Sequence, residues 1–202
     1  MSEDLLAHKS KSWDMKSRRV QNAKAIAETI VENVPLHEKM HLLDLGAGTG
    51  LLSFFIAQKV GKITALDNSP SMLEMFHEKQ NEFACETESI EGDIMKLDLP
   101  QVYDGIISSM TIHHIEDTKA LLQKLHEVLK PGGFIALADL YKEDGSFHSD
   151  NEGVFHYGFD TEKLMQEAKE ADFENPKISH AYTIEKPQKN YDVFLLTAHK
   201  PD

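Results

Sequence analysis

One cysteine, Cys85, stands among 202 residues, so an internal disulfide and any multi-cysteine metal or arsenic site are excluded. No apolar run approaches the ~18 residues that span a bilayer. The start, Met1-Ser2-Glu3-Asp4, is acidic and lacks the basic residues and apolar core of a secretory signal. A cytoplasmic protein with no membrane partner is the resulting expectation. Basic residues are scarce too: 21 Lys and Arg stand against 34 Asp and Glu, a net charge of −13. A protein that grips a phosphate backbone needs a positive surface, so no nucleic-acid partner is expected. The local basic cluster of Lys9, Lys11, Lys16, Arg18 and Arg19 reads as the solvated face of an N-terminal helix. Repeats, low-complexity tracts and linkers are also missing. With 41% hydrophobic and 27% charged residues, residues 1–202 read as one globular domain, and 1–38 as its N-terminal helical cap segment. Oligomeric state is not readable.

What is present is an alternation of two periodicities. Val20, Ala23, Ala27, Ile30, Val31 and Val34 fall at helical spacing, and Pro35 closes the run. A short apolar strand follows at about 41–45, then a helix over roughly 50–60. Lys62 to Asp67 reads as a second strand, and Ser69-Pro70 as a helix start with serine as N-cap. A weaker strand lies near 84–90, a fourth at Tyr103 to Ser109, and a helix near 117–129 that Lys130-Pro131-Gly132-Gly133 stops. Phe134 to Leu140 is a fifth strand. The loop 142–159 is too long for a mere connector. Asp160 caps a last helix, and Ile178 to Glu185 and Asp192 to His199 form a hairpin. Strands alternating with helices imply a parallel sheet.

The most informative stretch is His41-Leu42-Leu43-Asp44-Leu45-Gly46-Ala47-Gly48-Thr49-Gly50. A buried strand passes through a glycine turn into a helix. Alone, this fits either an ordinary strand-to-helix turn or the place where open α/β sheets hold nucleotide-like ligands. Asp67 closes the second strand 21 residues after Gly46, where an acid can accept two hydrogen bonds from a ribose diol. Leu51 follows Gly50, so the spacing is not the Gly-x-Gly-x-x-Gly of dinucleotide sites and suits a ligand without a pyrophosphate. In Glu91-Gly92-Asp93-Ile94, an acid can accept from the exocyclic amine of adenine.

With Lys130-Pro131-Gly132-Gly133 added, the chain resembles the class I S-adenosylmethionine-dependent methyltransferases of the small-molecule type. The resemblance rests on Leu43 to Gly50, Ala65 to Leu73, Glu91 to Ile94, Tyr103-Asp104 leading to Ile112-His113-His114, and Leu129 to Gly133. It implies a Rossmann-like α/β fold: a three-layer sandwich around a seven-stranded, mostly parallel sheet with one antiparallel strand. It also implies S-adenosylmethionine as cofactor, S-adenosylhomocysteine as product, and a small-molecule methyl acceptor. The implied cofactor-binding residues are Asp44, Gly46, Ala47, Gly48, Gly50, Asp67, Asn68, Met72, Asp93, Ile94, Ser108, Ser109 and Met110. Asp44 would orient the methionine ammonium, Asp67 take the ribose, Met72 pack on adenine, Asp93 and Ile94 read its edge, and Ser108 to Met110 border the methyl group. Trp13 would either fold over the cofactor or serve as a hydrophobic anchor.

Where related enzymes acting on amide or base nitrogens carry an Asn/Asp-Pro-Pro-aromatic motif, this chain has Ser108-Ser109-Met110-Thr111-Ile112, which disfavours such acceptors. No metal site can be assembled. His113 and His114 are the catalytic candidates, since a base is needed if the nucleophile must lose a proton. Positioning is expected to outweigh proton transfer at both, because in-line displacement gains much from orientation. Phe147, His148, Phe155, His156 and Tyr157 make 142–159 a candidate substrate lid in preference to a metal site. A non-catalytic S-adenosylmethionine binder and a nicotinamide oxidoreductase are the alternatives.

Overall fold

A strand buried on both faces reads as an unbroken apolar run, and strand β1, His41–Leu45, does so. Leu42 packs on one side with Ile63, Ala65, Ile107 and Ala136. Leu43 packs on the other with Leu66, Ile106, Ile135 and Leu137. The computed structural model describes residues 18–202. The other strands are β2 (Lys62–Asp67), β3 (Glu86–Glu91), β4 (Tyr103–Ser109), β5 (Leu129–Leu140), β6 (Glu174–Glu185) and β7 (Asn190–His199). They form one sheet in the order β3-β2-β1-β4-β5-β7-β6. Strands β3 through β5 run parallel. β7 runs antiparallel to both of its neighbours, as the expected fold requires. The dinucleotide order 3-2-1-4-5-6 has no such inserted strand.

Helices α1 (Arg18–Asn33), α2 (Leu51–Ile56) and α3 (Pro70–Glu78) lie on the Leu42 side. They contribute Ile26 and Ile30, Leu52 and Ile56, and Phe76 respectively. α4 (Thr118–Val128) and α5 (Thr161–Glu170) cover the Leu43 side with Leu121, Leu125, Leu164 and Ala168. The result is three layers. Asp117 caps α4 by accepting from Ala120 N at 2.9 Å, and Asp160 caps α5 by accepting from Glu162 N and Lys163 N.

Several boundaries differ from the sequence expectation. α2 stops at Ile56, where the chain tightens into a turn closed by Lys59 N on Ile56 O. β5 begins at Leu129, with the Pro-Gly-Gly segment inside it as an irregularity between the Tyr103–Leu129 and Gly105–Phe134 pairs. β6 starts at Glu174, ahead of Ile178, and shifts register before Lys177. Ser69 occupies the N-cap of α3, yet its hydroxyl pairs with Ser71 Oγ at 3.1 Å instead of capping. Among the described residues no helix is long and apolar enough to cross a membrane.

Candidate functional site

The chain leaves β1 in one direction towards β2 and β3, and returns on the other side of β1 as β4. Ligands of open α/β sheets bind at such a switch point, beyond the carboxyl ends of the strands. The glycine turn lies there. Gly46 N and Ala47 N both donate to Leu66 O, at 2.8 and 3.1 Å, which ties the turn to β2. Gly46 has φ +68°, and a Cβ there would stand 2.2 Å from Thr111 Cγ2. Gly48, with φ +55°, would meet nothing within 4 Å, so its bare backbone borders open space that a ligand could approach closely.

Two cavities meet at this turn. The larger, about 660 Å³, has Gly46, Gly48, Asp67, Asn68, Met72, Asp93 and Ile94 in its walls, and extends to Thr111, His114, Ile115, Gly153 and Phe155. The smaller, about 300 Å³, is lined by Arg19 and Asn22 of α1 together with Asp44, Ala47, Ser109 and Ile184. Gly46, Gly48, Met72 and Met110 border both.

Asp44, Asp67, Met72, Asp93, Ile94 and Met110, all predicted cofactor residues, stand in the walls of these cavities. Asp67 accepts from Gly48 N at 2.8 Å and from Ser69 N at 2.9 Å, one bond to each oxygen. The carboxylate is thereby fixed with lone pairs to spare for a diol. Asp44 is 1% exposed and takes Ser53 Oγ at 2.6 Å. Burial, with Asp67's charge adding to it against the Ser53 bond, pushes its carboxyl up to about 7. Met72 leaves its side chain 41% exposed at the junction of the cavities, an apolar surface that a flat ring would cover. Asp93 accepts from Met95 N at 2.9 Å and pairs with Lys96 at 3.2 Å, and Ile94 is buried beside it. Met110 carries φ +56°, an uncommon conformation for a residue with a side chain. Its N–H donates to Ala138 O at 2.8 Å. Strain of this kind clusters at ligand sites.

Not every predicted residue reaches the cavities. Ser108 is fully buried, and its hydroxyl donates to Leu45 O at 2.8 Å, pinning β4 to β1 beneath the turn. Gly50 faces the Phe76 and Phe83 rings. Trp13 lies outside the described residues. The two histidines separate. His114 borders the larger cavity, its Nδ1 2.7 Å from Gly153 O. His113 is 1% exposed and turned inward onto Asp139.

Sequence reasoning named none of Arg19, Asn22, Thr111 and Ile115 as a cofactor-binding or catalytic residue, yet all four stand in the walls. Arg19 carries no signal beyond its charge, and in the helical pattern it merges with a solvated face. The 142–159 loop does border the site, through Gly153 and Phe155. Among the described residues no group of three or more His, Cys, Asp or Glu is arranged to hold a metal ion.

The open Gly48 backbone, the anchored Asp67 and the exposed Met72 together fit an adenosyl ligand. The smaller cavity, with both Asp44 and Arg19 in its walls, has charges of the signs that an amino-acid end would need. Comparison with known proteins agrees. A methyltransferase-domain family model matches residues 42–133. An uncharacterised methyltransferase of Schizosaccharomyces pombe is 29% identical over 178 residues, covering 80% of this chain and 61% of the relative. The chain spans less than two thirds of the length of the first curated relatives it matches. The structure of phosphoethanolamine N-methyltransferase 2 from Haemonchus contortus, in complex with S-adenosylmethionine, superposes with a TM-score of 0.71 at 16% identity, over 94% of this chain and 58% of that one. The cyclase SpnF superposes with a TM-score of 0.75 at 18% identity, over 95% of this chain and 85% of that one. Motif order, strand order and the methyltransferase-domain match over residues 42–133 make the chain similar to the class I S-adenosylmethionine-dependent methyltransferases.

Proposed function

We propose that this protein transfers a methyl group from S-adenosylmethionine to a small soluble acceptor. The observation that carries the reading is the coupling of Asp67 to Gly48 beside the switch point, which presents a carboxylate and a bare backbone to one cavity. When bound, S-adenosylmethionine supplies an electrophilic methyl group on a sulfonium. The chain's own residues hold and orient it. Asp44 faces the ammonium, and Arg19 and Asn22 are suited to the carboxylate. Gly46, Ala47 and Gly48 run along the methionine portion, with Asp67 on the ribose hydroxyls. Asn68, Met72 and Ile94 enclose the adenine, and Asp93 accepts from its amine. Ser109 and Met110 stand at the carboxyl end of β4, where the methyl group and the acceptor meet.

Most of the acceleration in this reading comes from orientation, which for a well-aligned in-line displacement can contribute about 7–11 kcal/mol. The walls beyond Met110 supply the acceptor's surroundings: Thr111, His114 and the 142–159 segment. A fold shared with a cyclase does not by itself dictate transfer, so binding and turnover are measured separately. Incubation with S-adenosylmethionine and a panel of small hydroxyl, amine, thiol and carboxylate compounds should release S-adenosylhomocysteine with at least one member. Tight S-adenosylhomocysteine binding with no turnover across the panel would favour a non-catalytic binder.

A further inference from the structure

Asp139, next to last in β5, is fully buried. Its carboxylate accepts from Leu140 N at 2.7 Å and from His113 N at 3.2 Å. It also takes His113 Nδ1 at 2.9 Å. The opposite ring nitrogen of His113, Nε2, is buried with no hydrogen-bond partner among the described residues. The ring of His148 stands 4.9 Å away, centroid to centroid, and its Nε2 is likewise buried and unpartnered. The His114 ring lies 4.2 Å from that of His113 and reaches the larger cavity. His148 belongs to the 142–159 segment, which is tied to the same place: Phe155 N and His156 N donate to His113 O at 3.0 and 3.2 Å.

A carboxylate against Nδ1 holds an imidazole in the tautomer with Nδ1 protonated and Nε2 bare. A bare nitrogen sealed from water is costly to leave unpaired, and a ligand hydroxyl would satisfy it. His148 favours the neutral form because burial lowers its pKa. His113, His114 and Lys186 add to that effect, and Asp139 opposes it. No excess positive charge therefore has to be displaced when a ligand enters beside His113. Packing beneath the next helix, the ordinary role for such a histidine, would not require a dedicated buried carboxylate.

We propose that His113, positioned by Asp139, is the base that accepts the proton of a hydroxyl-bearing methyl acceptor. The proposal rests on the methyl-transfer reading above. The acceptor oxygen forms the new O–C bond as the C–S bond breaks with its electron pair left on sulfur, and the hydroxyl proton passes to His113 Nε2. Asp139 is a positioning residue that acts through the imidazole. Because Nε2 is buried, an acceptor reaches it only by moving part of the packing around the ring, to which His148 contributes at 4.9 Å between centroids. His114, outside the pair, keeps the role of shaping the cavity. For His113 this reverses the sequence expectation that positioning outweighs proton transfer.

Imidazole nitrogen NMR on the full chain, labelled in histidine and saturated with S-adenosylhomocysteine, tests the pair without any acceptor. The wild-type chain should show His113 protonated at Nδ1 and bare at Nε2, and Asp139→Asn should lose that preference while still binding S-adenosylhomocysteine. A proton on Nε2 in the wild-type chain overturns the proposal, whatever the variant does. The second arm is turnover on phenols, aliphatic alcohols, amines and carboxylic acids. His113→Asn keeps a donor towards Asp139 and removes Nε2. It should lower kcat on the hydroxyl acceptor about 10²–10⁴-fold, leave the KM for S-adenosylmethionine unchanged, and abolish the acidic limb of the pH–rate profile. A kcat within threefold of wild type, or turnover confined to compounds without a hydroxyl, overturns it. Failure of the wild-type chain to bind S-adenosylhomocysteine would instead be a failure of the methyl-transfer reading.

Discussion

The carboxyl ends of β1, β2 and β3 and those of β4 and β5 form two halves of one site, built by different means. The first half is held by backbone. Gly46 N and Ala47 N reach Leu66 O, Gly48 N reaches Asp67, and Gly92 N reaches Asp67 O. The second half is held by side chains and by a segment from far along the sequence. His113 reaches Asp139 across 26 residues and His114 reaches Gly153 across 39. A backbone cradle demands particular residues at particular φ values, so it recognises one ligand and resists change. A side-chain assembly under a loop can be rebuilt for another acceptor without disturbing the sheet.

That contrast is broken most directly at Gly46. Gly46→Ala combines a left-handed φ with a Cβ 2.2 Å from Thr111 Cγ2, and should destabilise the chain by about 2–5 kcal/mol in chemical denaturation. Gly48→Ala meets no atom within 4 Å, so it should cost only about 1–2 kcal/mol of stability while weakening S-adenosylhomocysteine binding. Equal stability losses at the two positions would show that the turn does not have one packed and one open glycine.

Asp67→Ala comes next in expected size. Loss of bonds to a charged group should weaken S-adenosylhomocysteine by ~1.5–3 kcal/mol, read by calorimetry. Unchanged affinity in a folded variant would remove Asp67 from the ribose.

Asp44 should give the site a pH dependence. Its carboxyl sits at about 7 in the ligand-free chain, and pairing with an ammonium requires the ionised form. Below that pH a proton must leave on binding, so affinity should fall towards tenfold per pH unit, about 1.4 kcal/mol. Stability of the ligand-free chain runs the other way. The folded carboxyl is raised above its unfolded value of 3.8, so its contribution is full below that value and is lost as pH rises through about 7. Asp44→Asn should flatten both profiles. A pH-independent affinity between pH 6 and 8 in the wild-type chain would contradict the ammonium assignment.

The smallest expected effect concerns Trp13. If residues 1–20 fold over the cofactor, S-adenosylhomocysteine should shift Trp13 fluorescence and slow proteolysis in that segment. No change in either at saturation would assign Trp13 to hydrophobic anchoring.

The two halves also differ in how far they could be read from residues alone. Asp44 and Asp67 lie on two consecutive strands and Gly46 and Gly48 in the turn after the first, and their spacing reflects the turn and the crossover that bring them together. Ser108 shows the limit even there. Its place at the end of β4 was legible, but its hydroxyl turns onto Leu45 O, a choice made by packing between strands 63 residues apart. Arg19 enters the smaller cavity because α1 is laid across α2 and β6, which no local pattern encodes. The His113–Asp139 pair depends on the register of β5 against β4, where Ser109 stands opposite Ala138. One residue of slip at the Pro-Gly-Gly irregularity would turn Asp139 to the other face of the sheet.

Titration of the full chain at pH 8 with S-adenosylhomocysteine and, separately, with NADH tests the cofactor assignment most directly. Saturable one-to-one heat with S-adenosylhomocysteine and none with NADH is the expected result. No heat with S-adenosylhomocysteine, or saturable binding of NADH in the same cavity, would contradict it.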